Sequence, residues 1–441
     1  MSKWADLPCD VLLQIIHRLS SIDDIIISSV VCKSWQSLVN SFEKPPLPPS
    51  CPWLMLAEEN EQSDKSNKEQ SQTQTRSFFN LLDTKVYNFK LPEVAGRKYF
   101  GTSLGWLLTI GTDLHINLLH PLSKHLLSLP PQATFHHQFK CYIRPELLTR
   151  VFLKKAVLSK SPWNSATHKC DCDCVIMVIY GQHGKLAFTR PGYKAWIDIK
   201  SSRHGYADIV FYKGKFYAVD FNGVTVVCCF DGNKKARAKA IVPAPEGINM
   251  NIQRHIQKHI VESSGDLLLV SRFWGGHFYS KFYSFEEEFN YKENESNDED
   301  PKDDFEDENS QDDVEDEGTK DESDRKDIND KPYVTIRFKV QKLERCTQEG
   351  SEFKYKWVKV DTLGDQTLFV GDSSSLSLTA SSLNGIKPNC IYFTDDDLYL
   401  FSWTHNGGGS DMGVFSMEDA TIKPHYSGQS HSFFCSPLWY I

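Results

Sequence analysis

Two periodicities divide the chain. In residues 7–39, Val11, Leu12, Ile15, Ile16 and Leu19 recur at spacings of three and four, which predicts one amphipathic helix over Pro8 to Leu19. Pro8 suits a first helical turn, and Asp6 and Asp10 place negative charge near its positive end. Ser20 and Ser21 close that helix and cap a second over Ile22 to Ser29, with Asp23 and Asp24 in its first turn. A third covers Val30 to Val39, with Val31, Trp35 and Leu38 on one face. These helices carry more apolar surface than three short elements hide among themselves. A chain below roughly 40 residues seldom buries enough to offset its conformational entropy. The segment therefore calls for a partner surface.

Beyond a proline-rich connector, KPPLPPSCP at 44–52, the pattern changes. CPWLMLA at 51–57 predicts a buried strand, and the polar stretch 58–75 predicts a loop. From Ser77 onward short apolar runs alternate with turn residues, and helical periodicity is scarce. FNLLDTKVYNFKLP at 79–92 and NLLHPLSKHLLSLP at 117–130 share a strand, a polar turn, a second strand and a closing Leu-Pro. Glycine-led strands recur as GKLAF at 184, GKFYAVD at 214 and GDLLLVS at 265, with WIDI at 196 and WVKV at 357 as partner strands. At about 40–50 residues per repeat the length suits a propeller of about six or seven blades. A pair of β-sandwiches is the alternative architecture.

Charge is uneven. Residues 286–330 hold 23 Asp and Glu against 5 Lys and Arg, a net of −18, so a chain of −9 carries +9 elsewhere. A run such as EDENSQDDVEDEG cannot bury apolar surface and repels itself, which predicts a disordered insertion over 290–330. It is either a screen for a basic face or a solvated segment without a role. The remaining basic residues are dispersed, which argues against nucleic-acid binding. Twelve scattered cysteines suit reduced thiols in nucleus or cytoplasm. No apolar run reaches the roughly 18 residues of a membrane span, and the N-terminus lacks the pattern of a secretory leader.

Leu7 and Pro8, the aliphatic stripe, Asp23 and Asp24, and Val31-Cys32-Lys33-Ser34-Trp35 together resemble an F-box. Gln36, where that family often has arginine, and Ser28, where a bulkier residue is common, depart from its pattern. The resemblance implies a Skp-type adaptor as partner and, through it, a cullin-RING ubiquitin ligase. It points to Leu7, Pro8, Val11, Leu12, Ile15, Leu19, Val31, Lys33 and Trp35 as adaptor-binding or surface-shaping residues. A helical cap on the following domain is the plainer reading. PWLML at 52, GWLLTI at 105, the LPP ending at 131, WVKVDTLGDQTLFVGDSSSLSL at 357–378, NCIYFTDD at 389 and GVFSME at 413 resemble plant F-box proteins with a kelch-like β-propeller, the KIB class. The implied organisation is a small all-α F-box of three helices over 1–43, a linker over 44–50 and an all-β propeller over 51–441. The implied function is a substrate-recognition subunit whose propeller binds an unidentified protein for ubiquitination.

Candidate chemistry is sparse. HKCDCDC at 168–174 offers imidazole and thiols, but its cysteines alternate too closely for a C-x2-C zinc knuckle, which favours a surface loop with free thiols. Gly371-Asp372-Ser373 follows the strand TLFV, where such residues make a turn more often than a nucleophile. Gly407, Gly408 and Gly409 lack the lysine and hydroxyl of a phosphate loop and predict a flexible turn. Ser296, Ser310 and Thr319 precede acidic residues by three positions, as acid-directed kinases prefer. No cofactor, metal or catalytic set is assigned. The alternative to a non-catalytic receptor is a kelch-like propeller oxidase or hydrolase capped by N-terminal helices.

Overall fold

The computed structural model describes residues 7–16, 28, 31–41, 51–57, 75–139, 142–164, 167, 169–231, 235–245, 256–275, 333–347, 353–383, 385–396 and 407–440. The chain divides into two compact units, residues 1–273 with 337–441, and residues 274–336. Of the second unit only 274–275 and 333–336 are described, as ends of strands. The acidic insertion, its three candidate phosphosites and nearly all of the polar stretch 58–75 lie outside the described residues. Thr75 is a correction, because it opens a strand (Thr75–Asn80) and is not part of a loop. Its β-branched side chain suits that pleated position.

Helix α1 spans Cys9–Ile16, where Leu12 N–H donates to Pro8 O at 3.1 Å. Helix α2 spans Lys33–Ser41. It starts later than the expected Val30: Val31 is helical but Cys32 is not. Ser28 is helical and buried, while the rest of the expected second helix falls outside the described residues.

The remaining described residues are mostly β, in mainly antiparallel sheets ordered mostly by sequence, with Gln366–Val370 and Cys390–Phe393 paired in parallel. One sheet runs Arg97–Gly101, Leu107–Gly111, Ile116–His120, His125–Leu129. An eight-stranded sheet is two such meanders joined at their outer strands. Leu153–Leu158, Ile176–Tyr180, Lys185–Thr189 and Ile197–Lys200 form one half; Tyr206–Tyr212, Lys215–Asp220, Thr225–Asp231 and Lys235–Val242 form the other. The join is a short parallel pairing of Ile199 with Ala236 and Lys200 with Arg237. A further sheet orders Ile256–Ser263, Asp266–Gly275, Val334–Arg345 and Tyr355–Val360. The next orders Leu376–Thr379, Gln366–Val370, Cys390–Phe393, Gly413–Ser416 and Ile422–Lys423. In the last, Leu438–Tyr440 pairs with Trp53–Met55, which is followed outward by Thr75–Asn80 and Lys85–Lys90. The chain thus closes on itself, with Leu54 opposite Trp439.

The turns explain the repeats seen in the sequence. Lys213-Gly214 and Ser264-Gly265 are two-residue hairpin loops with positive φ at both positions, 45° and 77° in one, 50° and 83° in the other. That geometry matches the twist of the flanking strands and favours glycine second. The segments at 79–92 and 117–130 are equivalent hairpins: Thr84 N–H donates to Asn80 O and Lys124 N–H to His120 O, both at 2.9 Å, with φ of 58° and 59° at Thr84 and Lys124.

Apolar layers fill the spaces between sheets. In Ile176–Tyr180 every residue is buried, because Ile176, Val178 and Tyr180 pack with Phe100, Leu108, Phe135 and Trp196, while Met177 and Ile179 pack with Ile209, Phe216 and Val226. A strand covered on both faces loses its polar alternation, which is why IMVIY reads as a continuous apolar run. Outer strands alternate instead, as in Lys85–Lys90.

Candidate functional site

The inner edges of successive sheets adjoin one another. Arg97–Gly101 lies against Leu153–Leu158, that strand against Tyr206–Tyr212, then Ile256–Ser263, then Leu376–Thr379, while Leu438–Tyr440 lies against Arg97–Gly101. Where they meet runs the segment Gly371–Ser375. Ser373 Oγ donates to Trp439 O at 2.5 Å, Ser374 N–H to Gly101 O at 2.9 Å and Ser374 Oγ to Ala156 O at 3.3 Å. Lys155 Nζ donates to Gly371 O at 2.9 Å. The GDS triplet is a bend as expected, but a buried one that links several sheets. Its serine is committed to a main-chain carbonyl. Gly371 has φ 153°, and a Cβ there would collide with Thr394 Oγ1.

Around this segment charged side chains are withdrawn from water. Lys155 pairs with Asp208 at 3.1 Å, and Asp208 also accepts the N–H groups of Ile209 and Ile260 at 2.8 and 3.0 Å. His259 stands between Asp208, at 3.8 Å, and Asp396, at 3.2 Å, without an aligned hydrogen bond. Arg272 donates to Asp396 Oδ1 at 2.6 Å, to Asp411 Oδ2 at 2.9 Å and to the carbonyl of Thr394 at 2.7 Å, with its guanidinium 4.6 Å from the Phe393 ring centre. Burial alone would raise the Asp396 carboxyl, but Arg272, then His259 and Lys155, hold it below the usual carboxylate range. Asp372 behaves oppositely. Burial, reinforced by Asp396, pushes it up to about 6 against the pull of Lys98 and Lys155. Arg272 with Asp396 and Asp411, and Lys155 with Asp208, compensate one another's burial.

One expected turn is corrected by the same centre. Gly407, Gly408 and Gly409 are buried, Gly408 bridges to Ser432, and Gly409 N–H donates to Asp395 Oδ2 at 2.7 Å. A side chain at Gly409 would meet the Ser430 carbonyl, so close backbone approach requires glycine there. In the HKCDCDC segment, Cys174 is buried and donates to Lys160 O at 3.1 Å, Cys170 donates to Pro162 O at 3.4 Å, and only Cys172 is exposed. Burial pushes the Cys174 thiol up to about 12 and raises Cys170 as well, so both stay protonated rather than ligating as thiolates. His168 lies outside the described residues.

Of the residues assigned to adaptor binding, Pro8 and Lys33 are exposed, Leu7 and Ile15 half-buried, and Leu19 outside the described residues. Val11 and Val31 stand 37% and 51% exposed, while Leu12 and Trp35 are buried.

One cluster has almost no sequence signature. His137 Nε2 lies 3.1 Å and His136 Nδ1 3.9 Å from Asp198 Oδ2. Tyr180 OH donates to Asp198 Oδ1 at 2.6 Å, and Lys185 Nζ sits 2.9 Å from His137 Nε2. Only the doublet His136-His137 hints at it, since Asp198 is remote in sequence.

A family model described as KIB1-4 beta-propeller matches residues 78–416, and one described as F-box domain matches residues 4–46. The chain is 24% identical to the putative F-box protein At5g55150 of Arabidopsis thaliana, across 99% of this chain and 96% of that protein. It is 25% identical to the F-box protein SKIP23 of the same plant, across 97% of this chain and 91% of that protein. Among solved structures, the N-terminal domain of Nup159 aligns at 8% identity over 82% of this chain and 73% of that one, with a TM-score of 0.27, too low to bear on the fold.

Proposed function

The chain belongs to the F-box proteins that carry a KIB1-4 beta-propeller, and on that premise we propose that it is the substrate-recognition subunit of a Skp-cullin-F-box ubiquitin ligase. The F-box docks on a Skp-type adaptor, and the propeller holds a protein target while the ligase's other subunits supply the chemistry. The observation that carries this reading is the exposed aliphatic surface at Val11 and Val31 within the matched F-box segment. Leu7, Pro8, Ile15, Leu19 and Lys33 complete the docking surface, with Leu12 and Trp35 supporting it from within. Apolar area removed from water contributes to such a contact roughly in proportion to its extent.

The domain is read as six blades. The eight-stranded sheet counts as two, and each blade meets the next across one of six apolar layers among the described residues. Nucleus or cytoplasm is the expected site of action, since that is where thiols stay reduced. The test is co-purification of the full chain with a Skp adaptor. Leu7→Ala with Pro8→Ala abolishes capture while the β-rich circular dichroism and melting of the chain persist. Undiminished capture by the folded double variant overturns the assignment.

A further inference from the structure

We propose that His136, His137 and Asp198 form a binding site for a divalent transition metal of the zinc class, with Lys185 occupying the ion's place when the site is empty. Their ligand atoms lie within 4.8 Å of one another. A tetrahedral ion with bonds of roughly 2.0–2.2 Å holds neighbouring ligand atoms about 3.4 Å apart. The two nitrogen-to-carboxylate separations, 3.1 and 3.9 Å, bracket that spacing, so small side-chain rotations close the set. Two imidazoles and one carboxylate are a donor set suited to zinc, cobalt or nickel rather than to calcium or magnesium.

Two neighbours favour this use. The Tyr180 hydroxyl donates to Asp198 Oδ1, leaving Oδ2 turned toward both histidines, the outer-shell support that metal-bound carboxylates receive. Tyr180 is itself fixed, fully buried with its ring 4.5 Å from that of Phe135. Lys185 Nζ lies 2.9 Å from His137 Nε2, the same nitrogen that faces Asp198 Oδ2 at 3.1 Å, so an ammonium already stands beside this ligand atom. Lys185 is thus both the placeholder and the competitor. A bound cation must displace the ammonium, and charge repulsion opposes it until the lysine swings toward water.

The site would join two elements distant in sequence. His136 and His137 belong to the connection between His125–Leu129 and Leu153–Leu158, which carries helix α3 (Pro145–Val151), whereas Asp198 sits on the outer strand Ile197–Lys200. His136 is 78% and His137 42% exposed, so water would complete the coordination and a partner's donor group could replace it.

The probe is Co2+, titrated into the full chain by calorimetry and absorption, because exposed Cys9, Cys172 and Cys229 would otherwise confuse a zinc result. One ion binds without the sulfur charge-transfer band that thiolate ligation produces. His137→Ala and Asp198→Asn each weaken binding at least tenfold, and Tyr180→Phe weakens it by about tenfold through loss of orientation. Lys185→Met tightens binding several-fold, an effect opposite in sign to that of removing a structural contact. No binding at millimolar Co2+, binding unchanged in His137→Ala, a thiolate band, or weaker binding in Lys185→Met overturns the proposal.

Discussion

In α1 and just before α2, Val11 and Val31 keep aliphatic surface in water, whereas where the inner strands meet, Lys155, Asp208, His259, Arg272 and Asp396 are taken out of it. Both arrangements run against the usual partition of apolar inside and charged outside. The helices leave aliphatic surface exposed. The inner strands hold charges that only one another can compensate. An exposed apolar face is available for association, whereas the buried ion pairs of Lys155 and Arg272 tie separate segments of the fold together.

That contrast implies mutational effects of different kinds. Lys155→Met removes the cation paired with Asp208, and the loss of one partner of a buried pair lowers stability by about 3–5 kcal/mol. Urea unfolding followed by tryptophan fluorescence measures it; a loss under 1 kcal/mol would mean that water reaches the pair.

Asp372 gives the next largest effect, with the opposite sign. Its carboxyl is pushed up to about 6 in the folded chain from its ordinary 3.8 when unfolded. The fold therefore binds the proton more tightly, and the stability this contributes is complete below 3.8 and lost as pH rises through 6. At neutral pH the buried charge costs about 3 kcal/mol, taking about 1.4 kcal/mol per pKa unit. Asp372→Asn should unfold at higher urea than the parent at pH 7.5, by an increment that shrinks steadily toward pH 4. A difference that does not vary with pH rules out this account.

At the helices the effect is on binding. Val31→Ser should weaken adaptor capture by about tenfold, equivalent to about 1.4 kcal/mol, with unfolding unchanged, because the side chain is already in water before the partner arrives. Loss of stability in place of affinity would make that face part of the chain's own core. Smallest of all is Lys359→Ala, which removes an exposed ion pair with Asp361 and should shift unfolding by no more than about 0.5 kcal/mol.

What was legible in the sequence was local. The stripe from Val11 to Leu19 repeats every three or four residues, and the described part of it is helical. The glycines at 214 and 265 stand in the two-residue loops that their φ values demand. The hairpins at 79–92 and 117–130 share a pattern because they share a turn. The buried centre was not legible, since Asp208, His259, Arg272, Asp372 and Asp396 come from separate segments and only the closed fold joins them. Gly371-Asp372-Ser373 reads as a turn, and its burial follows from neighbours that no local window contains. His136, His137 and Asp198 escaped for the same reason, and the cysteines at 170–174 drew attention by spacing while their carbonyl partners lay elsewhere.

The pairing of Leu438–Tyr440 with Trp53–Met55 also sets a clock. The two strands are about 380 residues apart, and at roughly 5–20 residues per second a ribosome needs about 20–75 s to make that span. Through that interval Trp53–Met55 has no partner on one edge, and the space that Trp439 fills against Phe369 stays open. A nascent chain of this kind depends on protection during synthesis more than its finished stability would suggest.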